Sequence, residues 1–162
     1  MRLLIRFYFL IFCFSVQSQI QPVGLELSSD NVEDVIKQNN GLLWVGTDEG
    51  LNVFYDDEKH VFYSSIQDSL SLLNSKINKI ALSSKNNLIV LTQDGLSVFD
   101  SDKFSFRQIN FASRPTSVIE DPTNGSFWIS TENSGYYLLN NLFEIEGHFT
   151  FDPLNPLSIS TS

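Results

Sequence analysis

The chain has 162 residues, of which 42% are hydrophobic and 18% are charged. This apolar content is enough for one globular domain and too high for intrinsic disorder. The formal net charge is -9, which argues against a protein that binds nucleic-acid phosphates. With one cysteine, Cys13, and two histidines, His60 and His148, the chain cannot build a disulfide framework or a Cys/His zinc cluster by itself, and we expect no metal and no cofactor.

The first 18 residues have the composition of a signal peptide. Arg2 and Arg6 are embedded in the apolar run 3–16, and small and polar residues follow, so we predict cleavage after Ser18. The apolar run of 14 residues is shorter than the roughly 20 residues that a membrane-spanning helix needs. The sequence therefore predicts export rather than a membrane anchor, with no membrane span in this chain.

One pattern recurs three times after this segment, and each copy ends an apolar run with a threonine: Thr47, Thr92 and Thr131. Their spacings of 45 and 39 residues lie in the range of one four-stranded propeller blade. In the first copy we predict strands at residues 32–36, 42–47, 51–55 and 61–64. Val, Ile, Phe, Tyr and Thr dominate such segments, and turn residues recur too often for helices. The predicted fold class is all-β: a partial β-propeller of about three four-stranded blades that follows a signal peptide.

Five of the eight glycines fall at equivalent turns of the three copies: Gly41, Gly50, Gly95, Gly125 and Gly135. One equivalent turn lacks glycine and has Asn86, the other residue type that tolerates positive φ. We therefore predict positive φ at all six positions. Asn124, Gly125 and Ser126 fit the N-glycosylation triplet, but they coincide with a repeat turn and are interpreted as a turn.

The first copy contains a longer motif: Gly41, Leu42, Trp44, Val45, Gly46, Thr47, Gly50 and Leu51. This motif resembles the two-component-regulator propeller repeat. The third copy has Ser130 in place of the second glycine and Tyr136 in place of the leucine, and the second copy has Ile89 in place of the tryptophan. The predicted signal peptide at 1–18 is followed by an N-terminal lead-in at 19–27, and the resemblance covers a repeat region at 28–162. That region contains repeats at about 28–70, 71–112 and 113–155, followed by the lead-in to a missing fourth repeat.

The resemblance also implies a function. Similar repeats form the periplasmic sensor regions of hybrid histidine kinases in bacterial carbohydrate-utilisation systems. By this resemblance the chain is an N-terminal fragment of an exported, periplasmic sensor ectodomain, with a phosphorelay downstream and an oligosaccharide or other small molecule as the ligand. The chain has no kinase or hydrolase motif, so we expect that it is not an enzyme by itself.

The sequence leaves two alternatives for how the propeller ring is closed. Propellers close with 4 to 8 blades, so three blades leave two open faces, which further blades of a longer receptor would cover. The other possibility is a stand-alone secreted binding or scaffold module that closes its propeller as a homo-oligomer. A propeller lyase or glycosidase would need paired carboxylates facing one channel, and the repeat identifies no such pair, so no catalytic residue is predicted.

Ligand-binding residues are not assigned by the pattern, but two aromatic pairs are candidates. Trp44 and Trp128 can stack on sugar rings, although their equivalent positions in the repeat favour packing between blades. Tyr136 and Tyr137 replace Leu-Asn and Leu-Ser of the other copies. This departure makes them a candidate ligand contact, with ordinary strand residues as the alternative.

Two runs of acidic residues are candidate cation ligands: Asp48 with Glu49, and Asp56, Asp57 and Glu58. Their carboxylates can hold a cation in principle, but the spacing is not that of a calcium loop, and solvated turns are the preferred interpretation. His60 and His148 have no converging partners in the sequence, so we expect them at surface or strand-end positions.

Overall fold

The computed structural model of the chain describes residues 26–56, 58–155 and 158. The predicted signal peptide, most of the predicted lead-in and Asp57 lie outside the described residues. The described part contains twelve β-strands and no helix, arranged as three antiparallel sheets of four strands. Within each sheet the strands lie side by side in sequence order, and we call the sheets blades 1, 2 and 3. This arrangement confirms the predicted all-β fold, a partial propeller of three blades.

The strands have the following bounds. Blade 1 contains β1 (Val32–Lys37), β2 (Leu43–Thr47), β3 (Gly50–Tyr55) and β4 (Glu58–Phe62). Blade 2 contains β5 (Ile77–Leu82), β6 (Leu88–Thr92), β7 (Gly95–Asp100) and β8 (Ser105–Asn110). Blade 3 contains β9 (Pro115–Glu120), β10 (Phe127–Thr131), β11 (Tyr136–Leu139) and β12 (Ile145–Phe149). None of the described segments is a helix that is long and apolar enough to cross a membrane.

The outer strand of blade 1 was predicted at residues 61–64, and this position is wrong. The strand begins at Glu58 because the hairpin from β3 is tight, with Tyr55 paired to Glu58. Asp56 takes a φ of 49° in this hairpin, a conformation that Asp tolerates better than most residues. Part of the predicted acidic turn therefore belongs to β4.

The repeated threonine closes the hairpin between the second and third strands of every blade. Its Oγ1 hydroxyl donates to a glycine carbonyl: Thr47 to Gly50 at 3.0 Å, Thr92 to Gly95 at 3.0 Å, and Thr131 to Gly135 at 2.8 Å. Thr47 and Thr92 are fully buried, so their hydroxyls need a partner inside the protein. The same hydrogen bond thus stabilises the same turn three times.

Positive φ is found at all six predicted positions. At the turn before the second strand, Gly41 has a φ of 95°, Gly125 a φ of 71° and Asn86 a φ of 65°. The Asn86 amide donates to the Ser83 carbonyl at 2.8 Å and closes this turn in blade 2. Asn86 therefore replaces glycine for the backbone reason that was predicted.

Two hydrophobic clusters lie between consecutive blades. The first includes Trp44 and Val53 of blade 1 with Leu88, Val90 and Phe99 of blade 2, and the second includes Ile89 and Leu91 of blade 2 with Phe127, Ile129 and Leu139 of blade 3. Because neighbouring residues of a strand point to opposite faces, β6 packs on both sides. Each fully buried aliphatic side chain contributes roughly 1.5–3 kcal/mol, so these interfaces hold the blades together.

Candidate functional site

Trp44 lies in the interface between blades 1 and 2. The side chain is 0% exposed, and its ring centroid lies 6.1 Å from that of Phe62 and 5.0 Å from that of Phe99. Its indole Nε1–H donates to Oε1 of Gln38 at 3.0 Å. The ring has no solvent-exposed surface, so Trp44 packs between blades as predicted.

Gln38 connects the same two blades through a polar contact. Its Nε2 donates to the Asn86 carbonyl of blade 2 at 2.7 Å, while its Oε1 accepts from Trp44. The Gln38 side chain is itself buried, and both ends of the amide are paired. A satisfied buried amide of this kind sets one relative position of the two sheets.

Trp128 occupies the equivalent position in blade 3 but is 38% exposed. Its ring centroid lies 6.3 Å from that of Phe149. Phe149 pairs with Tyr136 in blade 3 as Phe62 pairs with Leu51 in blade 1, so the two Trp–Phe pairs correspond. Ile119, exposed in the structure, pairs with Trp128 from β9. We call the surface formed by Ile119, Trp128, Tyr136 and Phe149 the open aromatic face.

The prediction that Trp128 packs against a neighbouring blade is wrong for the described residues. Its packing partners among the described residues belong to blade 3, not to a neighbouring blade. Sequence reasoning did not identify Phe149 as a partner of Trp128, because a register irregularity between Leu138 and Leu139 and a longer hairpin between β11 and β12 change the spacing relative to blade 1. The pairing of strands shows that Phe149 corresponds to Phe62, although their spacings in the sequence differ.

Tyr136 and Tyr137 point to opposite faces of β11 and have different surroundings. Tyr136 stacks on Phe149 with ring centroids 4.9 Å apart and belongs to the open aromatic face. Tyr137 is buried, and its ring lies parallel to that of His148 at 3.9 Å. The Tyr137 hydroxyl accepts a hydrogen bond from the Ala112 amide at 3.2 Å.

Tyr137 anchors the segment that leads into its blade, as shorter polar side chains do in the other two blades. In blade 1, Asn52 Oδ1 accepts from the Ser28 amide at 2.9 Å. In blade 2, Ser97 Oγ accepts from the Leu73 amide at 3.0 Å. The donor in each blade lies 19 residues before the repeated threonine. The break in the repeat at Tyr137 therefore has a structural role.

A serine makes corresponding hydrogen bonds in two turns that follow a blade, one after blade 1 and one after blade 3. In the first, Ser71 Oγ accepts from the Ser65 amide at 2.9 Å. In the second, Ser158 Oγ accepts from the Asp152 amide at 3.0 Å. The Ser158 hydroxyl also donates to the Asp152 carbonyl at 2.9 Å, whereas the Ser71 hydroxyl lies 3.3 Å from the Ser65 carbonyl and closer, at 2.8 Å, to the Asp68 carbonyl. Both serines follow a leucine in the sequence, and the described hydrogen bonds of Ser71 and Ser158 correspond.

The turn at 65–71 contacts the outer strand of the blade that follows it. The Phe106 amide of β8 donates to the Leu70 carbonyl at 2.7 Å, and Gln108 Nε2 donates to the Ser71 carbonyl at 2.9 Å. This segment therefore joins blade 1 to blade 2 through the outermost strand of blade 2. The turn that joins Asp152 to Ser158 follows blade 3 along the chain as this turn follows blade 1.

Of the candidate acidic residues that the structure describes, Asp48, Glu49 and Asp56 lie in turns, and Glu58 lies in β4. Asn31 Nδ2 donates to Asp48 Oδ2 at 3.1 Å, and hydrogen bonds from Ser29 and Asn31 lower the pKa of Asp48 below its ordinary value. Among the described residues, no group of three or more His, Cys, Asp or Glu side chains is placed to hold a metal ion.

The two histidines have separate environments. His60 lies in β4, with its ring centroid 4.6 Å from that of Phe62. His148 lies in β12, and its Nε2 is 2.8 Å from the Ser134 carbonyl, which fixes that nitrogen as a donor in this contact. Both are strand residues with exposed side chains.

No protein-family model and no curated protein matches the chain, but solved structures do. It is similar to the extracellular domain assigned to the hybrid two-component system BT3049 of B. thetaiotaomicron, with a TM-score of 0.68 and 19% identity over 83% of this chain and 20% of that chain. A second domain, assigned to the hybrid system BT4673 of the same organism, gives a TM-score of 0.63 and 18% identity over 83% of this chain and 18% of that one. PorZ, a surface component of the type-IX secretion system of Porphyromonas gingivalis, gives a TM-score of 0.55 and 14% identity over 74% of this chain and 21% of that one. These likenesses show the fold, and the chain spans about a fifth of each solved chain.

Proposed function

We propose that the chain forms the first three blades of the extracellular domain of a two-component receptor. The observation that carries the proposal is the open aromatic face. In blade 1 the corresponding Trp–Phe pair is covered by blade 2, whereas in blade 3 it is exposed. A contiguous exposed apolar patch marks an interaction surface, and the covered pair of blade 1 indicates that the missing partner is another blade.

The sensor role is supported by the fold that the chain shares with extracellular domains of hybrid two-component systems. The resemblance of the first repeat to the two-component-regulator propeller supports the same role, and the predicted signal peptide supports export to the periplasm. A carbohydrate-type ligand is the class that this resemblance favours. Such a ligand would signal only if it bound one arrangement of the ectodomain better than another.

The ligand part of the proposal is tested by thermal unfolding of the whole ectodomain encoded by the gene. A panel of oligosaccharides is added, and a saccharide present at 100 times its Kd is expected to stabilise the folded state by about 2.7 kcal/mol. A response to other small molecules and to no saccharide would contradict the carbohydrate class. An unchanged transcriptional response to the active compound in a gene-deletion strain would contradict the sensor role.

The second candidate is a stand-alone secreted binding or scaffold module in which copies of the chain close the ring. The open aromatic face also favours this possibility, because the free side of blade 1 from a second copy would occupy the place of a fourth blade. Sedimentation velocity separates the two candidates. Concentration-dependent assembly of the 162-residue chain into one closed oligomer supports the module, and a monomer over the same range of concentrations supports the receptor fragment.

A further inference from the structure

A cleft of about 340 Å³ opens at the outer rim between blades 1 and 2. Leu42 and Val53 of blade 1 form part of its apolar lining, and Tyr55, His60 and Phe104 contribute three aromatic rings. The rings of His60 and Phe104 meet edge to face with centroids 5.4 Å apart. The cleft is therefore a concave surface with aromatic walls, assembled from two blades.

A comparison with blade 3 shows that the position of Phe104 is unusual. Phe104 and Phe143 each lie in the hairpin between the third and fourth strands of their blades, and both have positive φ, 52° and 60°. Phe143 is 7% exposed and stacks on Phe127 at 4.5 Å. Phe104 is 56% exposed. Positive φ in a bulky residue costs free energy, and the burial that offsets this cost for Phe143 is incomplete for Phe104.

The charged groups at the cleft favour a positively charged ligand. Glu58 lies on its wall. Lys59 also lines the cleft, but its ammonium donates to the Glu26 carbonyl. Lys103, next to Phe104, is paired with Asp100 at 3.0 Å. Lys103 is thus neutralised by Asp100, the Lys59 ammonium is held at the Glu26 carbonyl, and the chain as a whole has a net charge of -9, which attracts cations.

We propose that this cleft binds a small organic cation, an ammonium group on a compact carbon frame. The charged group lies against the faces of Tyr55 and Phe104, where the negative face of an aromatic ring attracts a cation. Glu58 supplies the opposite charge, and the apolar lining takes the carbon frame. The site lies wholly within blades 1 and 2, so this inference goes beyond the proposed receptor function and does not depend on it.

The test uses choline as the probe and the purified chain labelled with 15N. Choline is titrated in NMR spectra alongside its neutral isostere 3,3-dimethylbutan-1-ol and the uncharged sugar methyl β-D-glucopyranoside. We expect saturable shifts at Tyr55, His60 and Phe104, and binding of choline about tenfold tighter than binding of the isostere. Equal binding of choline and the isostere would overturn the proposal, and so would binding of the sugar alone or the absence of saturable binding.

Three variants separate the cleft from a general effect on folding. Phe104→Gly keeps the backbone conformation, because glycine accepts positive φ, and is expected to weaken choline binding about fivefold or more. Glu58→Gln removes the charge at nearly constant size and is expected to weaken choline binding while binding of the isostere stays unchanged. Tyr63→Ala removes an exposed aromatic ring that does not line the cleft, and its affinity is expected to equal that of the parent chain.

The variants also define the contradicting results. Folding of each variant is checked by circular dichroism and by its midpoint in urea. If Glu58→Gln folds normally and binds choline as tightly as the parent chain, the assignment of Glu58 is wrong. If both Glu58→Gln and Phe104→Gly keep the parent affinity, choline does not bind in this cleft.

Discussion

Truncation of the two tryptophans distinguishes a covered blade interface from an open one. Trp44→Ala removes a fully buried indole, and such truncations cost about 3–5 kcal/mol of folding free energy. The substitution also leaves the Gln38 amide oxygen without its Trp44 donor, which adds about 1–3 kcal/mol. Trp128→Ala removes a side chain that keeps 38% of its surface in water.

The expected difference follows from the area involved. A tryptophan side chain buries up to about 250 Å². The 38% of Trp128 that stays exposed is therefore about 95 Å², which at about 25 cal/mol per Å² lowers the cost of truncation by about 2.4 kcal/mol. With the unpaired Gln38 oxygen included, Trp44→Ala is expected to cost about 3–5 kcal/mol more than Trp128→Ala.

The assay is urea unfolding of the purified chain, followed by circular dichroism, at a concentration where sedimentation shows a monomer. Ile119→Ala is the control on the open aromatic face, and because Ile119 is exposed its cost is expected to be small, within about 1 kcal/mol. Equal costs for the two tryptophan variants would refute the reasoning, since Trp128 would then be covered in solution.

Three further predictions concern the turns and the contact between blades. Gln38→Leu is expected to lower the free energy of unfolding by about 1–3 kcal/mol, measured in urea, because it leaves the buried Trp44 Nε1–H unpaired. Asn86→Val is expected to cost about 1–3 kcal/mol in the same assay because a β-branched residue is strained at positive φ, whereas Asn86→Gly is expected to be nearly neutral. Hydrogen bonds from the Thr123 side chain and amide lower the pKa of Asp121 from 3.8. Its contribution to stability is therefore present above about pH 4 and is lost as the pH falls through the lowered value, so the difference in unfolding midpoint between the parent chain and Asp121→Asn is expected to shrink between pH 5 and pH 3.

Each of these predictions has a result that contradicts it. A Gln38→Leu variant as stable as the parent chain would show that the bridge between blades 1 and 2 adds no net stability. Equal stability of Asn86→Val and Asn86→Gly would contradict the requirement for positive φ. A difference between the parent chain and Asp121→Asn that is constant from pH 5 to pH 3 would contradict the lowered pKa.

The repeat pattern was sufficient to predict the fold class and several local conformations. The threonines and glycines report local hairpin geometry, and a hairpin depends on few neighbouring residues. Asn86 is the clearest example, because the residue type alone indicated positive φ. The first residue of β4 was not predicted, since an acidic segment such as 56–58 is compatible with both a turn and the start of an exposed strand.

The surroundings of the candidate site residues were predictable only in part. Trp44 and Trp128 occupy equivalent positions in the sequence, but their exposure depends on whether another sheet lies against the ring. That contact is remote in sequence, as is the link between Gln38 and Asn86. The exposure of Phe104 and Phe143 was not predictable for the same reason, because the two hairpins have similar backbones and differ in what covers the phenylalanine.

The most direct test of the central claim is hydroxyl-radical footprinting of Trp44 and Trp128, read by mass spectrometry. The measurement compares the 162-residue chain with a longer product that carries the further blades proposed above. We expect Trp128 to be oxidised much faster than Trp44 in the shorter chain, and both residues to be protected in the longer product because a fourth blade covers the open aromatic face. Oxidation of Trp128 at the same rate in both proteins would contradict the account of these three blades as part of a larger propeller.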